Sequence, residues 1–208
     1  MFSNEIFASR PWTRLQDGNR RWVEDRSTAA GSRGAVRRAE TTESQTPFAL
    51  VLGCSDSRVP AEILFDQGVG DLFVVRTAGH VVDSAVLGSV EYAIEILGVS
   101  LLVVLGHEGC GAVGAATRVV DGAQVPPGFI RDVAERIAPN ILRARHAGAT
   151  TATEVGDQHT LLTVELLRQR SALVDDAIGR GAVEAVAARY SLSSGTVIEL
   201  RQPVLAGV

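Results

Sequence analysis

The chain has 208 residues, 46% of them apolar and 21% charged, with a formal net charge of −4 at pH 7. That length fits one domain with a substantial core, and the charge balance leaves no basic excess for nucleic acid. No run of 18 or more apolar residues occurs and residues 1–10 lack the apolar segment of a secretory signal, so the sequence predicts a cytoplasmic protein with no membrane partner.

Residues 11–26 place Trp12, Leu15, Asn19, Trp22 and Val23 near one helical face. Two indoles on such a stripe need cover, which predicts an arm that wraps a partner. Residues 27–47 are polar, carry Gly31, Gly34 and the pair Arg37-Arg38, and read as a long surface crossing. From Phe48 strand and helix alternate: a strand at 48–53, a short helix near 61–65, a strand at 72–76 and a helix at about 84–97 with Asp83 as N-cap. A strand at 101–106 and a helix at about 110–120 follow. Pro126-Pro127-Gly128 then breaks the chain before helical patterns at 129–146 and 153–179, separated by a loop near 148–151. Residues 182–190 and 196–200, joined through Ser193-Ser194-Gly195, predict one or two late strands, with Glu184 at an edge or on an exposed face. Strands separated by helical crossovers imply a parallel sheet. The expected fold class is therefore α/β, a mainly parallel central sheet flanked by helices, with an N-terminal helical arm and one or two late strands. Residues 1–208 read as a single domain, 1–46 being arm and crossing and 47–208 the α/β core.

Two apolar runs end alike. Ala49-Leu50-Val51-Leu52-Gly53 leads into Cys54, and Leu102-Val103-Val104-Leu105-Gly106 leads into His107, with Cys110 three residues on. Each run delivers a metal-type ligand at the carboxyl end of a buried strand, the edge at which open α/β sheets bind ligands. Cys54, His107 and Cys110 form a zinc ligand set of the catalytic kind, since three protein ligands leave the fourth tetrahedral position for water. Cys54 and Cys110 are the only cysteines, too few for a secreted disulfide framework. Gly109-Cys110-Gly111-Ala112-Val113-Gly114 matches the dinucleotide-binding pattern literally, but no following strand ends in the acidic residue that pattern needs. His80, His146 and His159 are spare histidines, and His80 reads as a surface or hydrogen-bonded side chain with a proton-relay role open to it.

Cys54-Ser55-Asp56-Ser57-Arg58 with His107-Glu108-Gly109-Cys110 resembles the β-class carbonic anhydrases. The likeness runs through Val59-Pro60-Ala61-Glu62, Phe65-Asp66-Gln67-Gly68, Gly70-Asp71-Leu72-Phe73-Val74-Val75-Arg76 and Ser89-Val90-Glu91-Tyr92-Ala93, with a weaker echo at Asp17-Gly18-Asn19-Arg20-Arg21-Trp22. The resemblance implies one Zn2+ per chain on Cys54, His107 and Cys110, and reversible hydration of CO2 to bicarbonate and a proton by zinc-bound hydroxide. It makes Asp56 and Arg58 a catalytic dyad, with Asp56 a conditional fourth metal ligand in a closed state at low pH. Gln45, Phe73, Ala78 and Tyr92 match substrate-pocket positions, which in this family are shared between the two subunits of a homodimer; a tetramer is the further assembly. One branch of the family has a tryptophan three residues before the first zinc cysteine that helps hold an inhibitory bicarbonate, beside an arginine matching Arg76. This chain has Val51 there. The rival functions are hydrolysis of carbonyl sulfide or carbon disulfide on the same scaffold, and a non-catalytic zinc or thiol sensor.

Overall fold

Parallel strands covered on both faces need continuous apolar runs, and the two runs of this sequence occupy the middle of the sheet. The structure is a computed structural model that describes residues 10–201. Its strands are β1 (Ala49–Cys54), β2 (Leu72–Thr77), β3 (Leu101–His107), β4 (Glu184–Tyr190) and β5 (Val197–Leu200), in the order β2-β1-β3-β4-β5. The first four are parallel and β5 runs antiparallel to β4. The helices are α1 (Pro11–Val23), α2 (Ala35–Glu40), α3 (Ala61–Leu64), α4 (Ser84–Glu95), α5 (Gly111–Val120), α6 (Phe129–His146), α7 (Ala152–Arg170) and α8 (Ala172–Gly179).

Side chains alternate across a strand, so β1 and β3 feed two cores. Ala49, Val51, Leu101 and Val103 pack with Trp12, Leu15, Leu64 and Phe65 of α1 and the α3 region. Leu50, Leu52, Leu102 and Val104 pack on the opposite face with Val86 and Val90 of α4, Leu167 of α7 and Val174 of α8. A third cluster joins α5, α6 and α7 through Val113, Ile137, Ile141 and Val155. From β1 the chain goes first to β2 on one side and then to β3 on the other. This switch opens a crevice at the carboxyl ends of β1 and β3.

Asp83 caps α4 as expected, accepting from the Val86 amide at 2.9 Å, and the two late strands both form, with Glu184 exposed at the first position of β4. Three expectations change. The helical pattern at 153–179 breaks at Ser171, whose Oγ accepts from the Val174 amide as the cap of α8 and donates to Glu91 at 2.6 Å. The crossing at 27–47 holds a 3-10 turn (Ala29–Ser32) and α2. Its arginines are not simply solvated: Arg33 donates to the carbonyls of Glu62 and Gln67, and Arg37 to that of Val69. The segment is fastened by buried Asp66, which accepts from Ser27 Oγ (2.5 Å), the amides of Thr28 and Ala29 (both 3.0 Å), Thr28 Oγ1 (3.1 Å) and Arg21 Nε (2.6 Å).

The third correction concerns α1, which is covered by its own chain rather than left for a partner. Trp12 packs edge-on against Phe65 at 6.3 Å and donates to Glu199 at 3.0 Å. Asn19 donates to the carbonyls of Leu64 (3.0 Å) and Gly195 (2.9 Å) and accepts from the Val197 amide (2.8 Å). Gly18 permits this approach, since a Cβ there would lie 1.8 Å from the Phe65 carbonyl oxygen. Only Trp22, at 38% exposure, keeps an open indole face.

Candidate metal centre

Cys54 closes β1 and His107 closes β3, neighbouring parallel strands in register through Gly53 and Leu105. Gly109, at φ +62°, turns the chain back so that Cys110 stands as the cap residue of α5. The metal-ligating atoms of Cys54, His107 and Cys110 consequently lie within 4.8 Å of one another, with the two Sγ atoms 3.9 Å apart. The His107 Nδ1 lies 2.8 Å from the Glu108 carbonyl oxygen, which only accepts, so Nδ1 carries the proton. That leaves a lone pair on Nε2, which is buried and has no partner among the described residues.

The hydrogen bond between the thiols lowers the Cys54 pKa and raises that of Cys110. Amides of Gly79 and Asp56 favour the Cys54 thiolate, and those of Ala112 and Val113 favour the Cys110 thiolate. Burial opposes protonation of His107, but the Cys54 sulfur beside it outweighs this and raises the imidazole pKa. Two sulfurs and an unpartnered imidazole nitrogen, crowded together, are the donor set that zinc takes. The residues fit the ion.

Asp56 follows two residues after Cys54 and receives Arg58 in a forked pair, Nε to Oδ1 at 2.9 Å and Nη2 to Oδ2 at 2.7 Å, with the Arg58 amide on Oδ1 at 3.0 Å. That grip holds its carboxyl well below the usual range. Asp56 Oδ2 stands 4.0 Å from His107 Nε2, so an ionised carboxylate faces the three donors. Arg76, from β2, clamps the same loop by donating to the carbonyls of Cys54 (2.9 Å) and Asp56 (2.5 Å). Val51 is wholly buried in the core.

The four pocket positions separate into two groups. Ala78 is exposed and adjoins Gly79, whose amide donates to Cys54 Sγ at 3.3 Å. Phe73 pairs in register with Leu50, four residues before Cys54, which places it roughly 13 Å back along the sheet. Its ring meets that of Tyr92 at 6.2 Å, and Tyr92 shares a surface hollow with Gln45 that none of the three metal-type ligands lines.

Of the spare histidines, His146 is exposed. His80 is neither on the surface nor hydrogen-bonded: it is buried, both ring nitrogens lack a partner among the described residues, and it stacks on His159 at 4.4 Å. Burial pushes its pKa well down. His159 is buried too, with Nδ1 at 3.0 Å from Asn140 Nδ2 and Nε2 at 3.0 Å from the Gly79 carbonyl. Sequence reasoning passed over the Arg76 clamp, the Gly79 amide and His159, which lies 80 residues from Gly79 and carries no local signal. The glycines of the dinucleotide-like run start α5 beside Cys110, and the chain then continues through α6–α8 before its next strand.

The family model for carbonic anhydrase matches residues 49–197. The carbonic anhydrase of Mycolicibacterium smegmatis is 50% identical over 199 residues, covering 96% of this chain and 94% of its own. Carbonic anhydrase 2 of Mycobacterium tuberculosis is 46% identical over 187 residues, 90% of each chain. The tetrameric β-carbonic anhydrases of Sordaria macrospora share the fold, with a TM-score of 0.68 at 21% identity over 92% of this chain and 97% of theirs. With a match spanning the whole sheet and every residue of the thiol–imidazole cluster, the chain belongs to the β-class carbonic anhydrase family of enzymes.

Proposed function

We propose that the chain catalyses reversible hydration of CO2 to bicarbonate and a proton, with one zinc ion per chain held by Cys54, His107 and Cys110. The observation that carries this reading is the unpartnered Nε2 of His107, converging with two thiols beneath a carboxylate already pinned by its own arginine. When bound, zinc supplies Lewis acidity and makes a water acidic enough to yield a nucleophile near neutral pH. Asp56, kept ionised by Arg58, can only accept a hydrogen bond, so it orients the attacking water by taking one of its protons in a hydrogen bond. Arg58 fixes the carboxylate plane, and the Arg76 clamp fixes the backbone beneath it. Two thiolates neutralise a divalent charge, so this site leans more heavily on Asp56 than one built from three neutral histidines. Asp56 also has a second place to go, as a fourth metal ligand, and its pairing with Arg58 opposes that closure.

Ala78 forms a wall of the CO2 pocket in its own chain. Gln45, Phe73 and Tyr92, set back along the sheet, line the pocket of an adjoining subunit, which makes the homodimer the working unit. Support comes from β2, an edge strand, beside which Tyr92 and Ile96 on and just after α4 are 47% and 67% exposed. The tetramer named for the Sordaria neighbours is the next size to look for. We further assign the 208 residues to one domain and the protein to the cytoplasm, where the two free thiols stay reduced. Among the described residues no helix is long and apolar enough to cross a membrane.

The test is stopped-flow CO2 hydration on protein of known zinc content, run beside carbonyl sulfide and carbon disulfide. Turnover of CO2 that scales with zinc is the expected result. Zinc-loaded protein that leaves CO2 unhydrated overturns the reading, and turnover of the sulfur compounds alone transfers the site to hydrolase chemistry.

A further inference from the structure

We infer that His159 is a positioning residue for the metal site: by holding Gly79, it fixes the amide that hydrogen-bonds the Cys54 sulfur. The inference rests on the zinc reading above and concerns residues that lie outside the ligand set.

Gly79 sits in the turn after β2 with φ +63° and ψ 28°, a left-handed conformation that favours glycine. A Cβ there would lie 2.8 Å from Ile137 Cδ1 and 2.9 Å from Ala112 Cβ, so the space also demands glycine. Glycine is the residue least able to hold its own backbone direction. Its N–H nevertheless has a job, donating to Cys54 Sγ at 3.3 Å. What holds the residue is at its other end, where the carbonyl accepts from His159 Nε2 at 3.0 Å.

The direction of that bond is determined. A carbonyl only accepts, so Nε2 carries the proton; Nδ1 then accepts from Asn140 Nδ2 at 3.0 Å, and one neutral tautomer satisfies both ends. Burial pushes the His159 pKa down, in keeping with the neutral ring. His80 stacks on its face at 4.4 Å with 29° between planes, leaving the imidazole little room to turn. The chain of contacts thus passes from α6 through α7 to the turn after β2 and ends on the sulfur at the tip of β1. A partner bonded directly to a metal ligand, as the Gly79 amide is, typically contributes 10–100-fold in metal affinity, and His159 acts one bond further out.

His159→Phe keeps an aromatic ring against His80 and removes both hydrogen bonds. His159→Gln returns an N–H near the Nε2 position. We expect the Phe variant to lose zinc to a competing chelator with about 10-fold weaker affinity, and to shift the sulfur-to-metal charge-transfer band of cobalt-substituted protein, while its far-UV circular dichroism stays native. The Gln variant should recover most of both. Were the Phe variant to misfold, Asn140→Leu, which keeps the imidazole but no longer selects its tautomer, should move both readouts in the same direction by less. A folded Phe variant with wild-type affinity and an unmoved band overturns the inference, as does a Gln variant as impaired as Phe. Failure of the zinc reading looks different: the wild-type protein itself then takes up no zinc.

Discussion

Of the places where this protein takes polar groups out of water, two are finished in opposite ways. At Asp66 five donors from Arg21, Ser27, Thr28 and Ala29 close on one carboxylate. At the ends of β1 and β3 an imidazole nitrogen has no partner and two sulfurs lie 3.9 Å apart. Burying a polar group is costly unless its bonds are made. The saturated site needs nothing from outside and fastens the N-terminal segment to the core; the unsaturated one is completed by a ligand. Buried polarity alone does not tell the two apart, nor does a missing partner by itself, since His80 is also buried without one among the described residues; the convergence of three metal-type donors does.

Substitutions can break that contrast. His107→Ala or Cys54→Ala should remove zinc and drop CO2 hydration toward the uncatalysed rate, as read by elemental analysis and stopped flow, because three donors are the fewest that hold a catalytic zinc here. Asp66→Ala should do the reverse. It leaves buried donors and the Arg21 charge without their carboxylate and should cost about 3 kcal/mol in urea denaturation, with zinc retained in the folded fraction. Zinc loss by Asp66→Ala, or global unfolding by His107→Ala, removes the distinction.

Asp56→Asn should retain zinc and lose turnover by about 100-fold, since the amide can donate and no longer orients the water in one way. The acid limb sharpens the comparison further. Burial opposes ionisation of Asp66, but its hydrogen bonds outweigh this and hold its pKa well below the usual carboxylate value. Its contribution is therefore complete above about pH 4 and lost as pH falls through the depressed native value. Wild-type stability should fall across that range with a slope that Asp66→Asn lacks. The smallest effect belongs to Glu154, an exposed carboxylate that accepts from the amides of Thr150 and Thr151 in the capping box of α7. These bonds lower its pKa from 4.5 to about 2. The cap is intact above pH 4.5 and weakens as pH falls toward 2, so Glu154→Gln should shift the melting temperature slightly at neutral pH and not at all at the acid limit.

The two sites were also unequally legible in the sequence. The metal cluster was readable because its ligands sit at fixed offsets from apolar strands, and strand ends of a parallel sheet meet in space. Asp66 appeared only as part of a motif, since its donors come from a polar stretch with no period of its own. Ser27, Thr28 and Arg33 looked like solvated loop residues until the carboxylate and carbonyls they serve were placed. The break at Ser171 was hidden for the opposite reason: apolar spacing continues across it, and only the cap geometry shows two helices. His80 reversed expectation because stacking two imidazoles in a core depends on tertiary packing. The indole stripe of α1 correctly announced a face needing cover, but a stripe does not say which chain supplies it.

The seating of α1 also sets the order in which the molecule can be completed. Trp12 bonds Glu199 across 187 residues, and Asn19 bonds Gly195 and Val197 across 176 and 178. During synthesis the apolar face of α1 can meet Leu64 and Phe65 early, but the bonds of Trp12 and Asn19 to the last strand must wait until nearly the whole chain has been made. Contacts of such separation close late and slow folding. In refolding, the hydrogen bond of the Trp12 indole should therefore be among the last to become native, and a chain ending before Val197 should leave α1 without its Glu199 and Val197 bonds, held only by its apolar face and the remaining bonds of Asn19.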